Sequence, residues 1–341
     1  MGASVNLQRS APPIADESAP TNTKSTTATG AVDALLSSSP MSALLILFAC
    51  LALGILCRRF APLPEGIVPG INWWVLNIAL PSLVLALVPQ VTIDVRLWFP
   101  VVGMYVTFFG AWALFATLGR IFAWSPARVG CLTLVCGLGN TSFMGYPMME
   151  ALHGKAGLSV AVIADQLGCF PMLAAGGIVV ASMYSGKGAS VAAIVRRVLT
   201  FPAFISLVIG VVIGLLGGWP EAVEKVMLQI GATLTPLALF SVGLQFRLHL
   251  QRDQLGALVT GLGWKLLFAP LVVFGIGIAA GIGGLTLTVG VLQAAMAPMI
   301  SAAILADQYD LEPRLANTVL GAGILLCLVT VPLGNLLLPA G

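Results

Sequence analysis

Long apolar stretches separated by short polar ones run from about residue 40 to the end of the chain. They are continuous rather than alternating, and most approach the ~20 residues that a helix needs to cross a ~30 Å hydrocarbon core. A β-barrel would show segments of about ten residues with period-two alternation instead. The pattern predicts spans at 40–57, 71–89, 97–119, 129–152, 157–184, 201–217, 228–246, 256–281, 285–307 and 315–338. Ahead of them, residues 1–38 are rich in Ser, Thr, Ala and Pro and read as a disordered tail. The tail lacks the charged-then-apolar order of a cleaved leader. Asn6 stands where a myristoylation motif needs Ser or Thr.

Composition narrows the class. Of 341 residues, 58% are hydrophobic and 9% charged, against roughly 25% charged in soluble domains. A surface so poor in charge excludes a soluble enzyme, and the short loops leave no room for a soluble catalytic domain. The net charge of +3 reflects membrane topology rather than nucleic-acid binding. Arg9, Lys24, Arg96, Lys155 and Lys225 fall on the side of the N-terminal tail. Arg58, Arg59, Arg120, Arg128, Lys187, Arg196, Arg197, Arg247, Arg252 and Arg314 fall on the other. The positive-inside rule then puts the second set, with loop 185–199, in the cytoplasm and both termini outside. The expectation is an integral protein of the inner or plasma membrane. The six cysteines lie in apolar runs without a C-x-x-C spacing, so they read as buried packing residues.

The fold class expected is an all-α membrane protein whose ten spans form two five-helix repeats. The halves are 39–184 and 200–341, joined by the basic loop. An odd number of spans per half inverts the second. The halves also resemble each other: ALPSLVLAL surrounds Pro81 and TLTPLALFSV surrounds Pro236, and the fourth span of each half is interrupted. Interrupted spans in matching positions point to a transporter site. Span 4 contains Gly139-Asn140-Thr141-Ser142-Phe143-Met144-Gly145-Tyr146-Pro147. Pro opens helices well, so the second half-helix is expected to start near Pro147. A proline kink held by Thr141 explains span 4 alone equally well. Span 9, with Gln293 through Pro298 to Ser301, breaks at similar depth with opposite polarity. Two half-helix N-termini meeting at mid-membrane would favour an anion, each carrying about half a positive charge.

Asp165 and Lys265 lie inside spans, away from the span ends. They read either as a coupling pair exchanging H⁺ or Na⁺, or as static buried charges. By position along their spans they differ by about 13 Å in depth at ~1.5 Å per residue, which argues against direct contact. His153 and His249 sit near loops, so neither a catalytic triad nor a metal centre is expected, and no cofactor is called for.

These blocks resemble the auxin efflux carrier family, which includes the plant PIN-type exporters and bacterial malonate or malate permease-like carriers. The resemblance rests on Gly139-Asn140-Thr141-x-x-Met144-Gly145-x-Pro147, on Ile71-Asn72-x-x-Val75 leading to Pro81, and on Phe240-Ser241-x-Gly243-Leu244. Lys265 before Pro270, and Gln293-Ala294-Ala295 through Tyr309, complete it. It covers about Ala43 to Leu338. Ser301 stands where bacterial relatives often have Asn, and loop 5–6 is short. The resemblance implies scaffold spans 1, 2, 6 and 7, a homodimer through them, and a moving domain of the other spans. It also implies that Asn140 contacts an organic carboxylate and that Gln166, at a polar fifth-span position, helps line the pocket.

The site expected for that substrate is Asn140, Thr141, Gly145, Pro147, Gln166, Gln293, Pro298 and Ser301, with Asp165 and Lys265 supplying charge. Asn77, Pro81, Ser82, Pro236 and Ser241 would line the scaffold side. The function read from the chain is an elevator-type carrier of small organic anions in contact with membrane lipids, with no nucleic-acid partner. A cation/proton antiporter or Na⁺-coupled symporter centred on Asp165, and a non-transporting membrane receptor, are the alternatives.

Overall fold

The computed structural model describes Gly2 and residues 40–91, 94–186, 192, 195–196, 199–246 and 254–338. The expected tail at 1–38 lies outside the described residues apart from Gly2. So do Lys187 and Arg197 of the basic loop, and Arg247 and Arg252. The chain divides into units of residues 1–39 and 40–341, and everything below concerns the second.

That unit is helical, and the described residues contain no strand beyond a single isolated bridge. In order come α1 Pro40–Phe60, α2 Ile67–Gln90 and α3 Val95–Ile121, and α4 Pro126–Gly137. They are followed by α5 Thr141–Ser185, α6 Pro202–Leu215, and α7 Glu221–Gln245 and α8 Leu255–Ala279. The last three are α9 Gly284–Ala294, α10 Ile300–Gln308 and α11 Pro313–Leu337. By length and composition six of these, α2, α3, α5, α7, α8 and α11, are able to cross a membrane. Helix α5 has 45 residues but is two limbs, because Gly154 takes φ 60° and ψ −158° and turns the chain.

Four of the prolines inside these helices are accommodated in the same way. Wide π turns at Val75–Ala79, Thr141–Gly145, Asp165–Cys169 and Trp264–Phe268 each end two residues before a proline, namely Pro81, Pro147, Pro171 and Pro270. Proline offers no N–H and its ring crowds the carbonyl four residues back. A wider turn moves that carbonyl aside and frees it for another donor. Leu167 O, four residues before Pro171, accepts from Tyr105 Oη of α3 at 3.1 Å.

The helices pack in two groups. Helices α1, α2, α6 and α7 form one; α3, α4, α5 and α8–α11 form the other. In the first group, Ser241 Oγ donates to Asn72 Oδ1 at 2.5 Å, Trp74 Nε1 to Thr233 Oγ1 at 3.0 Å and Arg58 Nη1 to Leu244 O at 2.6 Å. Its closest crossing is α1 on α7. A Cβ on Gly54 would lie 2.3 Å from Phe240 O, and one on Gly243 would lie 2.3 Å from Leu51 O. Only bare backbone fits there, as at small-residue crossings of membrane helices. In the second group, Ser125 caps α4 by accepting from Arg128 N and donates to Glu312 Oε1, while Arg128 pairs with Glu312 at 3.1 Å.

Gly243→Leu is expected to force α1 and α7 apart. Overpacking of this kind costs about 1–3 kcal/mol, so the purified variant should unfold at lower temperature in detergent, while Gly256→Leu, which meets open space, should not.

Candidate functional site

The site begins where two helices stop in the middle of the bundle. Helix α4 ends at Gly137, and Leu138 is extended at φ −107°, ψ 127°. Helix α9 ends at Ala294, and Met299 is extended at φ −80°, ψ 132° ahead of α10. The two short extended pieces lie antiparallel, with Gly139 opposite Pro298. Asn140 N–H donates to Ala297 O at 2.7 Å, and Met299 N–H donates to Leu138 O at 3.1 Å. Backbone polar groups freed inside a membrane must be paired within the protein, and here each broken helix supplies the other's partner. Pro298 has no N–H to leave unpaired. Gly139 has no side chain because a Cβ there would sit 2.9 Å from Lys265 Nζ.

Two thiols complete the pairing. Cys169 Sγ donates to Gly139 O at 3.2 Å, and Ala297 N–H donates to Cys327 Sγ at 3.2 Å. Each cysteine lies 30 residues after the residue that it serves. The cysteines expected as plain packing residues therefore also hydrogen-bond the crossing.

The charges are sorted by helix polarity. Lys265, fully buried, donates from Nζ to Ala294 O at 3.1 Å, at the C-terminal end of α9. A cation belongs there, because helix C-termini carry partial negative charge. Asp165 sits beside the first turn of α5. Its Oδ1 accepts from Thr141 Oγ1, and its Oδ2 accepts from Tyr146 Oη at 2.8 Å and Gln166 Nε2 at 2.9 Å. Asp165 and Lys265 do not contact each other; each is satisfied locally.

A cavity of about 310 Å³ opens at the starts of α5 and α10. Asn140, Ser142, Asp165 and Ser301 line it from the second group, and Asn72, Leu76 and Leu80 from α2. Phe170 and Phe201, stacked with centroids 4.1 Å apart, close one side. Asn140 is 2% exposed, and its Nδ2 donor has no hydrogen-bond partner. The first-turn amides of α5 and α10 likewise lack acceptors within their helices. Donors without acceptors, at two positive helix ends, suit a small anion. A second cavity of about 300 Å³, lined by Arg58, Gln245, Asp307 and Asn317 among others, shares Ile300 and Ile304 with the first.

The other expected residues fall around this centre. Thr141 and Gln166 are buried beside Asp165. Gln293 Nε2 reaches Thr141 O at 3.5 Å, and its Oε1 fills the space beside Gly145. Pro298 lies in the crossing itself. Pro147 does not mark the break, because α5 starts six residues earlier, at Thr141, and the wide turn absorbs the proline. Of the scaffold positions, Ser241 acts through Asn72, Pro81 is buried in the first group, and Pro236 is exposed. Asn77 bonds back to Trp73 O, and neither it nor Ser82 lies in the cavity wall. Sequence reasoning gave no role to Tyr146 or to the Phe170–Phe201 pair. Tyr146 lay within the quoted block; the two phenylalanines carried no signal.

Comparison with known proteins agrees with this architecture. Residues 40–334 match the membrane transport protein family. An uncharacterised transporter of Methanothermobacter thermautotrophicus is 26% identical over 294 residues, covering 84% of this chain and 94% of that protein. An uncharacterised transporter of Methanocaldococcus jannaschii is 25% identical over 291 residues, covering 81% and 91%. With paired broken helices at its centre and the match over most of its length, the chain belongs to the membrane transport protein family of auxin efflux carrier-like proteins, and is a transporter rather than an enzyme.

Proposed function

We propose that this protein carries small organic anions, holding a carboxylate between Asn140 Nδ2 and the first-turn amides of α5 and α10. The observation that carries this reading is the buried, unpartnered Asn140 donor in the wall of the 310 Å³ cavity. The cavity is otherwise largely apolar, which suits a substrate with a hydrocarbon body.

In this reading the ten spans are α1, α2, α3, α4 with the first limb of α5, the second limb of α5, α6, α7, α8, α9 with α10, and α11. They form two inverted halves. The matching thiol-to-crossing spacing and the breaks in each half's fourth span support the repeat. The group α3–α5 with α8–α11 slides as an elevator against α1, α2, α6 and α7. Its support is that the cavity lies between the groups, with walls from both. The ends bearing Arg58, Arg120, Arg128 and Arg314 face the cytoplasm, by the excess of basic residues there.

Two measurements test this. Labelled malonate, malate, phenylacetate and indole-3-acetate are offered to proteoliposomes at equal pH on both sides. At least one should exchange, and Asn140→Ala should weaken that flux. A hydrogen bond to a charged group is worth about 1.5–3 kcal/mol, so KM should rise or flux fall about ten- to a hundredfold. Binding without flux would instead mark a receptor. Second, Phe170→Cys with Phe201→Cys, with Cys50 and Cys57 replaced by Ser, is bridged by a short cross-linker carrying two thiol-reactive groups, such as a bis-methanethiosulfonate, whose disulfides a reductant cuts. Transport should stop and return when a cleavable bridge is cut; undiminished transport in the bridged protein would rule out sliding between the two groups.

A further inference from the structure

A carboxylate in the wall of a site for carboxylates demands a reason. Among the described residues, Asp165 is the one ionisable residue lining the cavity, and it is 3% exposed. Thr141, Tyr146 and Gln166 donate to it, and no basic side chain does. The elements packed on its turn offer few other titratable groups. Helix α3 brings Tyr105, bound to Leu167 O. The first limb of α5 brings Tyr146, while its Glu150 and His153 are engaged by Thr235 and Asn335; the turn itself holds Cys169, and α6 brings none. Lys265, across the crossing, is held by Ala294 O. Thr141 Oγ1 has a second acceptor within reach, Gly139 O at 3.4 Å. A hydroxyl has one hydrogen and gives it to one acceptor at a time.

We propose that Asp165 is the proton-coupling site of the carrier, so that one proton travels on Asp165 together with each anion in the adjoining cavity. This rests on the organic-anion reading above. While Asp165 is ionised, Thr141 gives its hydrogen to Oδ1, and the carboxylate repels a second negative charge from the shared cavity. A proton from water in the cavity adds to Oδ1. The new acid O–H donates to Thr141 Oγ1, whose own hydrogen turns to Gly139 O. No other bond forms or breaks, and the proton leaves to water when the anion is released. Because Gly139 is the residue paired with Pro298, the proton is registered at the crossing itself. The geometry favours H⁺ over Na⁺: while Asp165 is ionised, Thr141, Tyr146 and Gln166 all donate to it, where a cation needs several acceptor oxygens.

The test uses the full chain in proteoliposomes, with the same four labelled acids, the pH gradient and membrane potential imposed separately, and protein-free liposomes as the blank for passive leak. Whichever acid moves should accumulate on the alkaline side about tenfold per pH unit, the ratio set by one proton per anion. In Asp165→Asn, whatever its absolute rate, flux should no longer respond to the pH gradient. Glu221→Gln, in an exposed pair with Lys225, should respond like the parent. An intact response in Asp165→Asn, or driving by a Na⁺ gradient, overturns the proposal. If no acid moves, the organic-anion reading fails, and Asp165 is decided by infrared difference spectra of the solubilised protein titrated with acid. A carboxylic C=O band that vanishes in Asp165→Asn, shifts in Thr141→Val and returns to place in Thr141→Ser supports the proton site; no Asp165-dependent band while the protein stays folded overturns it.

Discussion

The interior of a bilayer offers no water to a peptide group, and that prohibition shapes the centre of this protein. Two helices end where they have no solvent to receive their last carbonyls and first amides. The solution is two backbone hydrogen bonds between the extended pieces, Asn140 to Ala297 and Met299 to Leu138, with sulfur atoms taking the groups left over. The positions of α4, α5, α9 and α10 follow from this knot of bonds, since each helix must aim an end at it. The cavity follows too, being the space that the starts of α5 and α10 leave between themselves and α2.

The same knot sorts the charges. Four helix ends meet within a few residues of one another, two carrying partial negative and two partial positive charge. The buried ammonium of Lys265 goes to a carbonyl end, and the carboxylate of Asp165 goes to an amide end. Neither needs the other, so neither is locked in an ion pair that motion would have to break. Asp165 instead sits among buried donors, two of them hydroxyls whose hydrogens turn about the C–O bond, which is a setting in which a charge can change without rearranging the fold.

Much of this was legible in the residues. Hydropathy marked the helices, and the Gly-Asn-Thr and Ala-Pro-Met segments marked the two interruptions, because glycine and proline are where a membrane helix most readily opens. The depth difference along their spans already separated Asp165 from Lys265. What could not be read was the position of the first break relative to Pro147. Proline statistics favour a helix start at that residue, but a π turn let the helix run through it and begin at Thr141 instead. In α2 the cavity wall is one helix face, Asn72, Leu76 and Leu80, while Asn77 and Ser82 stand outside it. The Phe170–Phe201 stack joins residues far apart in sequence, with no polar atom to single them out.

The two cavities meet back to back at Ile300 and Ile304, on one turn of α10. Asp307, which lines the outer one, is exposed, so that chamber reaches the chain's accessible surface. The side chains of Ile300 and Ile304 then stand between it and the first cavity, and both faces of that wall are hydrocarbon. Apolar constrictions of this kind stop ions by shedding water rather than by blocking space.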